Sequence, residues 1–164
     1  MKINPENKYV DLFMSFITHY NHKKYWRRRE VVVNPNSRAS IFLKLFYLLY
    51  IKRVDARWHC TFGTSLNGGS TFASPPTLWH GPNGIIFGYN AKIGKNCTIC
   101  QHVTISHGDP VIIGDNCLLG PGCFILAGVK IGNNVKIGAN AVVVEDVPDN
   151  ATVVAPKPRI IIRN

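Results

Sequence analysis

Residues 91–106 read AKIGKNCTICQHVTIS, and residues 111–143 read VIIGDNCLLGPGCFILAGVKIGNNVKIGANAVV. In both stretches a large aliphatic residue returns every six positions: Ile93, Ile99 and Ile105, then Ile113, Leu119, Ile125, Ile131, Ile137 and Val143. Two places before each stands a small or aliphatic residue, from Ala91 and Cys97 to Val135 and Ala141. Six residues are too few for a helix pair or a propeller blade. They fit one short strand and one corner, and three such units close a triangular coil with the large residues stacked inside. The predicted fold is mainly β, a parallel β-helix.

The register extends backward through Phe87 and then, in another phase, through Leu78, Phe72 and Leu66. It slips twice. Between Leu78 and Phe87, in LWHGPNGIIFG, three residues are added around His80; between Ile105 and Ile113 two are added, Asp109 and Pro110, beside His107. Tightly pleated coils leave little room for chemistry, so a solenoid places its site on loops that bulge from its corners. Leu78 and Ile99 are three units apart, which sets His80 and His102 near one edge, while His107 falls at the next. A threefold assembly could bring two such edges together, because a heterologous interface joins unlike surfaces. A neutral imidazole is the natural base for taking a proton from an alcohol. His80 and His107 are therefore the candidate catalytic residues, and His102 is assigned a supporting role.

The chain has 164 residues and a formal net charge of +10. Residues 1–57 hold twelve of the nineteen Lys and Arg against four acids, so the basic character is N-terminal, centred on KKYWRRRE. This run is read as a solvated helix face or an interface with acids; no nucleic-acid motif accompanies it. Peripheral contact with a membrane is the alternative. The apolar run at residues 41–51 is too short to span a bilayer. The opening residues are polar and include Pro5, so the expected location is cytoplasmic, at most peripheral to the inner face of the membrane.

Residues 1–57 form a helical segment capping the solenoid. One helix is expected from Asn4-Pro5, with Leu12, Phe13, Phe16, Ile17 and Tyr20 on one stripe, and another over residues 37–54. The β-helix domain spans 58–155 and a tail spans 156–164. Of the five cysteines, Cys97, Cys117 and Cys123 take inward small positions, Cys60 shares the phase of Leu66, and Cys100 is expected to be exposed at a corner.

The HG-x-NG loop at His80, followed by AKIGKNCTICQHVTI, IGDNCLLGPG and VKIGNNVKIGANAVV, resembles the bacterial hexapeptide-repeat acetyltransferases. It is most similar to the serine acetyltransferase-like branch that includes capsule and lipopolysaccharide O-acetyltransferases. The resemblance implies a left-handed β-helix, a homotrimer with sites between subunits, and acetyl-CoA as cosubstrate without a metal. It implies His80 as general base, with backbone N–H groups or a side chain such as His107 as oxyanion donors. It also implies a donor site along Gly120, Pro121, Gly138 and Ala139, ending at Lys157 and Arg159.

Serine acetyltransferases pair the histidine with a carboxylate about one coil earlier, near Ser65 and Asn67 here, whereas residues 56–108 contain no Asp or Glu. Ser65, Asn67, a carbonyl or a neighbour's acid would have to orient the ring. This shifts the expected acceptor from serine to a carbohydrate hydroxyl of a surface polysaccharide or its precursor, held by Trp79, Asn83 and Tyr89. Serine O-acetylation is the alternative within the class. Outside it stand a trimeric zinc hydratase similar to gamma-class carbonic anhydrases, suggested by His102 and His107 five residues apart, and a non-catalytic scaffold.

Overall fold

The computed structural model describes residue 13 and residues 15–162. Helices α1 (His22–Val33) and α2 (Ile41–Arg57) precede a three-sided stack of two-residue strands. The first face holds β1 (Thr61–Phe62), β6 (Ile86–Phe87), β9 (Thr104–Ile105), β12 (Phe124–Ile125) and β15 (Val142–Val143). The second holds β4 (Thr71–Phe72), β7 (Lys92–Ile93), β10 (Ile112–Ile113) and β13 (Lys130–Ile131). The third holds β8 (Thr98–Ile99), β11 (Leu118–Leu119), β14 (Lys136–Ile137) and β16 (Thr152–Val153). Every pairing on the three faces is parallel. The chain visits the faces in the order first, second, third, so its corners form three edges. Edge I joins the first face to the second, edge II the second to the third, and edge III the third to the first. This repeating three-sided coil fits the left-handed β-helix expected of hexapeptide repeats.

The six-residue period follows from which side chain turns inward. In β6 through β15 the second residue is buried: Ile99, Leu119 and Ile125 are 0% exposed and Ile93 is 4% exposed. Each such side chain gains roughly 1.5–3 kcal/mol on leaving water. Backbone bonds then tie coil to coil, as in Gly120 N to Ile137 O at 2.8 Å.

At the start of the stack the expected register fails. Leu66 is no wall residue; it sits in the turn of an antiparallel hairpin, β2 (Thr64–Ser65) with β3 (Gly68–Gly69). Phe62 takes the inward place, in register with Phe87. At the other end Val147 bridges to Ile131, and β16 pairs with β14, so the coil continues past the last glycine repeat.

The open first coil is closed by α1. Trp26 packs on Phe62 and Phe72 with ring centroids 5.0 and 4.7 Å apart. Arg29, 3% exposed, donates through Nη2 to the carbonyls of Phe62 and Ser70, both at 2.7 Å, and through Nε to Thr64 Oγ1 at 2.9 Å. These bonds satisfy acceptors that the next strand would otherwise have met. The KKYWRRRE run is thus split, because Tyr25, Trp26 and Arg29 face the core while Lys23, Lys24 and Arg27 face outward. The second helix begins later than expected, with Ser40 as N-cap accepting from Leu43 N. Residues 15–18 are helical, and the stripe's Phe13, Phe16 and Ile17 are exposed; Asn4, Pro5 and Leu12 lie outside the described residues. All five cysteines are free and buried, including Cys100, whose corner tucks it under the wall.

Candidate active site

The three edges differ in what occupies their corners. Along edge II run Asn96, Asn116, Asn134 and Asn150, each with φ between 54° and 61°. Each amide donates to the next, at 3.2, 3.2 and 3.0 Å. Asparagine suits this left-handed backbone better than most residues.

Edge III presents another chemistry. Its left-handed positions are Gly84, His102, Gly122 and Asn140. His102 is thus a corner residue. Its N–H donates to Asn83 O at 3.0 Å, and its ring fills the space where a side chain on Gly84 would lie. That gives His102 a structural place in the corner.

His80 projects from the same edge on β5 (Trp79–Pro82) and is exposed, as is Trp79 beside it. Gly81 (φ 67°) lets the strand lie against the indole of Trp58, since a Cβ there would sit 3.2 Å from the ring. Among the described residues no side chain forms a hydrogen bond with the His80 ring. Ser65 and Asn67 belong to the hairpin on edge I, and Asn67 Oδ1 accepts from Lys44 Nζ at 2.6 Å. Within one chain they do not reach the His80 ring.

A groove of about 540 Å³ opens beside His80, with Tyr20, His22, Trp58, Pro76 and Leu78 in its walls. Tyr20 Oη and His22 Nδ1 are 2.8 Å apart, and burial lowers the His22 pKa from its ordinary value while raising that of Tyr20. Sequence reasoning missed Tyr20, His22 and Trp58, because folding alone brings the N-terminal segment to edge III.

Below His80 the same edge holds the remaining donor-site candidates. Asn140 N bonds Pro121 O at 2.9 Å and Gly122 N bonds Gln101 O at 3.1 Å, so the corners at 101, 121 and 139 stand one above another. Pro121 and Ala139 are exposed. Gly120 and Gly138 sit behind them; a Cβ on Gly120 would come within 2.6 Å of Ile137 O. The tail leaves the third face at this edge, with Lys157 and Arg159 exposed.

His107 and Tyr89 lie elsewhere, on edge I. Gly88, next to Tyr89, stacks on the backbone of Ser106 and His107. Within one chain, therefore, Tyr89 keeps company with His107 rather than with Trp79, and the first face separates His107 from His80. His102 and His107 likewise occupy different edges, and among the described residues no three His, Cys, Asp or Glu gather as a metal site.

Residues 110–145 match the model of the bacterial transferase hexapeptide (six repeats) family. Residues 110–145, which run from the second face of one coil to the first face of a later one, carry the transferase hexapeptide repeat. Among solved structures, serine acetyltransferase of Neisseria gonorrhoeae in complex with serine has a TM-score of 0.55 at 29% identity, over 94% of this chain and 62% of that one. Serine acetyltransferase isoform 3 of Entamoeba histolytica in complex with cysteine scores 0.55 at 21% identity, over 94% and 65% of the two chains. Native serine acetyltransferase 1 of Entamoeba histolytica scores 0.59 at 20% identity, over 93% and 57%. The two amoebal structures share the fold. This hexapeptide-repeat chain spans less than two thirds of each of these three proteins. No curated protein matches it in sequence.

Proposed function

We propose that the protein is an acetyl-CoA-dependent O-acetyltransferase in which His80 is the general base. One observation carries this reading: the exposed imidazole of His80 stands at the head of the edge whose lower corners are the small, stacked residues Pro121 and Ala139. Those corners leave a smooth, uncharged strip that suits an extended pantetheine arm, and Lys157 and Arg159 beyond it suit phosphates. Acetyl-CoA supplies the activated thioester.

His80 takes the proton of an acceptor hydroxyl as the oxygen attacks the acetyl carbonyl, and returns it to the departing thiolate. The developing oxyanion needs N–H donors. His107 can serve only if a neighbouring subunit presents edge I to edge III. A homotrimer would allow this: the first face lies between the two histidine edges, and its outward residues Ile86 and Val142 are 47% and 63% exposed.

For the acceptor, the groove beside His80 favours a sugar hydroxyl of a surface polysaccharide or its precursor. Tyr20 and Trp58 offer ring faces of the kind that pack on pyranoses, and residues 56–108 contain no carboxylate that could pair an amino acid's ammonium. L-serine is the second reading, favoured by the Neisseria structure's bound serine. Thiol release from acetyl-CoA with L-serine and with glycan acceptors tests both. Turnover on sugars alone supports the first, turnover on serine alone supports the second, and turnover on neither rejects the activity.

A further inference from the structure

The polarity of α2 is inverted. Its inward face carries Ile51 and Val54 but also Lys44 and Asp55, 4% and 5% exposed. Lys44 Nζ is held by Asn34 O at 2.9 Å and Asn67 Oδ1, and Asp55 accepts from Tyr25 Oη at 2.6 Å. Its outward face carries Phe42, Leu45, Phe46 and Leu49, which are 81%, 47%, 61% and 51% exposed. These four positions are spaced i, i+3, i+4 and i+7, the pattern of a helix face that is normally buried. An apolar stripe of this kind marks an interaction surface.

Charge indicates what covers it. Arg28 lies over the rings of Phe46, Tyr47 and Tyr50 at 6.0, 5.0 and 4.3 Å, and Lys24 lies over Tyr50 at 5.5 Å. Phe16, 76% exposed, shares a shallow cavity with Lys24, Arg53 and Arg57. Among the described residues of the helical segment, Glu30 is the sole acid outside the core, because Asp55 is buried. A second copy meeting this face with its own would set cations against cations. An anionic bilayer matches both the apolar stripe and its basic rim. No helix among the described residues is long and apolar enough to cross a membrane.

We propose that α2 is an in-plane docking helix for an anionic lipid surface, with Phe42, Leu45, Phe46 and Leu49 at the acyl boundary and Lys24, Arg28, Arg53 and Arg57 against lipid phosphates. Flotation of the full chain with vesicles tests it. The expected result is flotation with phosphatidylcholine vesicles containing phosphatidylglycerol, none with phosphatidylcholine alone, and release by high salt. Phe46→Ser with Leu49→Ser lowers partitioning by about tenfold or more. Arg53→Ala, which leaves the apolar stripe intact, lowers it about fivefold. Absence of flotation overturns the proposal, as does flotation indifferent to lipid charge or to Arg53→Ala. A fall in assembly mass on Phe46→Ser with Leu49→Ser, without vesicle binding by the parent chain, would show instead that a second copy covers the helix.

Discussion

Edges II and III of the solenoid are made by the same turn and serve opposite ends. Edge II spends its side chains on itself: each asparagine amide donates to the next. Edge III replaces that ladder with Gly84, His102, Gly122 and Asn140, keeps Pro121 and Ala139 small, and leaves the His80 imidazole without a side-chain partner among the described residues. On edge III the backbone keeps its geometry and its coil-to-coil bonds, while the side-chain ladder is gone, which is what a candidate site requires.

The largest test of this contrast is His80→Asn. Loss of a general base lowers acetyl transfer by about 10²–10⁴-fold, while stability stays within roughly 0.5 kcal/mol because the side chain is exposed; steady-state kinetics and thermal unfolding read the two. Unchanged turnover would remove edge III from the chemistry.

A pH profile sharpens the same result only if stability is followed alongside activity. Burial pushes the Asp55 carboxyl from 3.8 up to about 6, its Oδ2 having no partner among the described residues. The folded state thus holds this proton more tightly than the unfolded chain. The stabilisation is complete below the unfolded value and is lost as pH rises through about 6, on the order of 2–3 kcal/mol. Asp55→Asn flattens the stability curve across that window, as measured by urea unfolding at several pH values.

On the donor strip, Ala139→Arg raises the KM for acetyl-CoA about tenfold, equivalent to roughly 1.4 kcal/mol, without altering stability. The smallest effect belongs to edge II. Asn116→Ala removes two amide bonds and strains a residue at φ 57°, costing about 1 kcal/mol in denaturant unfolding. Asn116→Gly recovers the backbone part, and neither change alters KM or kcat.

Most of the wall was legible because one physical rule repeats: the large residue turns inward and the corner follows three places later. The same count from Ile99 reaches His102, as it does from Ile93 to Asn96 and from Ile113 to Asn116, so its corner position was available in the sequence. The start of the stack was not. The hairpin places Leu66 six residues before Phe72, the spacing of a true unit, and periodicity cannot distinguish the two. His80 was found because it interrupts the period. Tyr20, His22 and Trp58 obey no period, and only the docking of the helical segment brings them to the groove.

Arg29 has a bearing on how the protein behaves in a crowded solution. By engaging the carbonyls of Phe62 and Ser70 from within, its guanidinium takes acceptors that an intruding strand from another molecule would need. Together with Trp26 on the rings of Phe62 and Phe72, it closes the first coil to end-on pairing with a strand of another molecule.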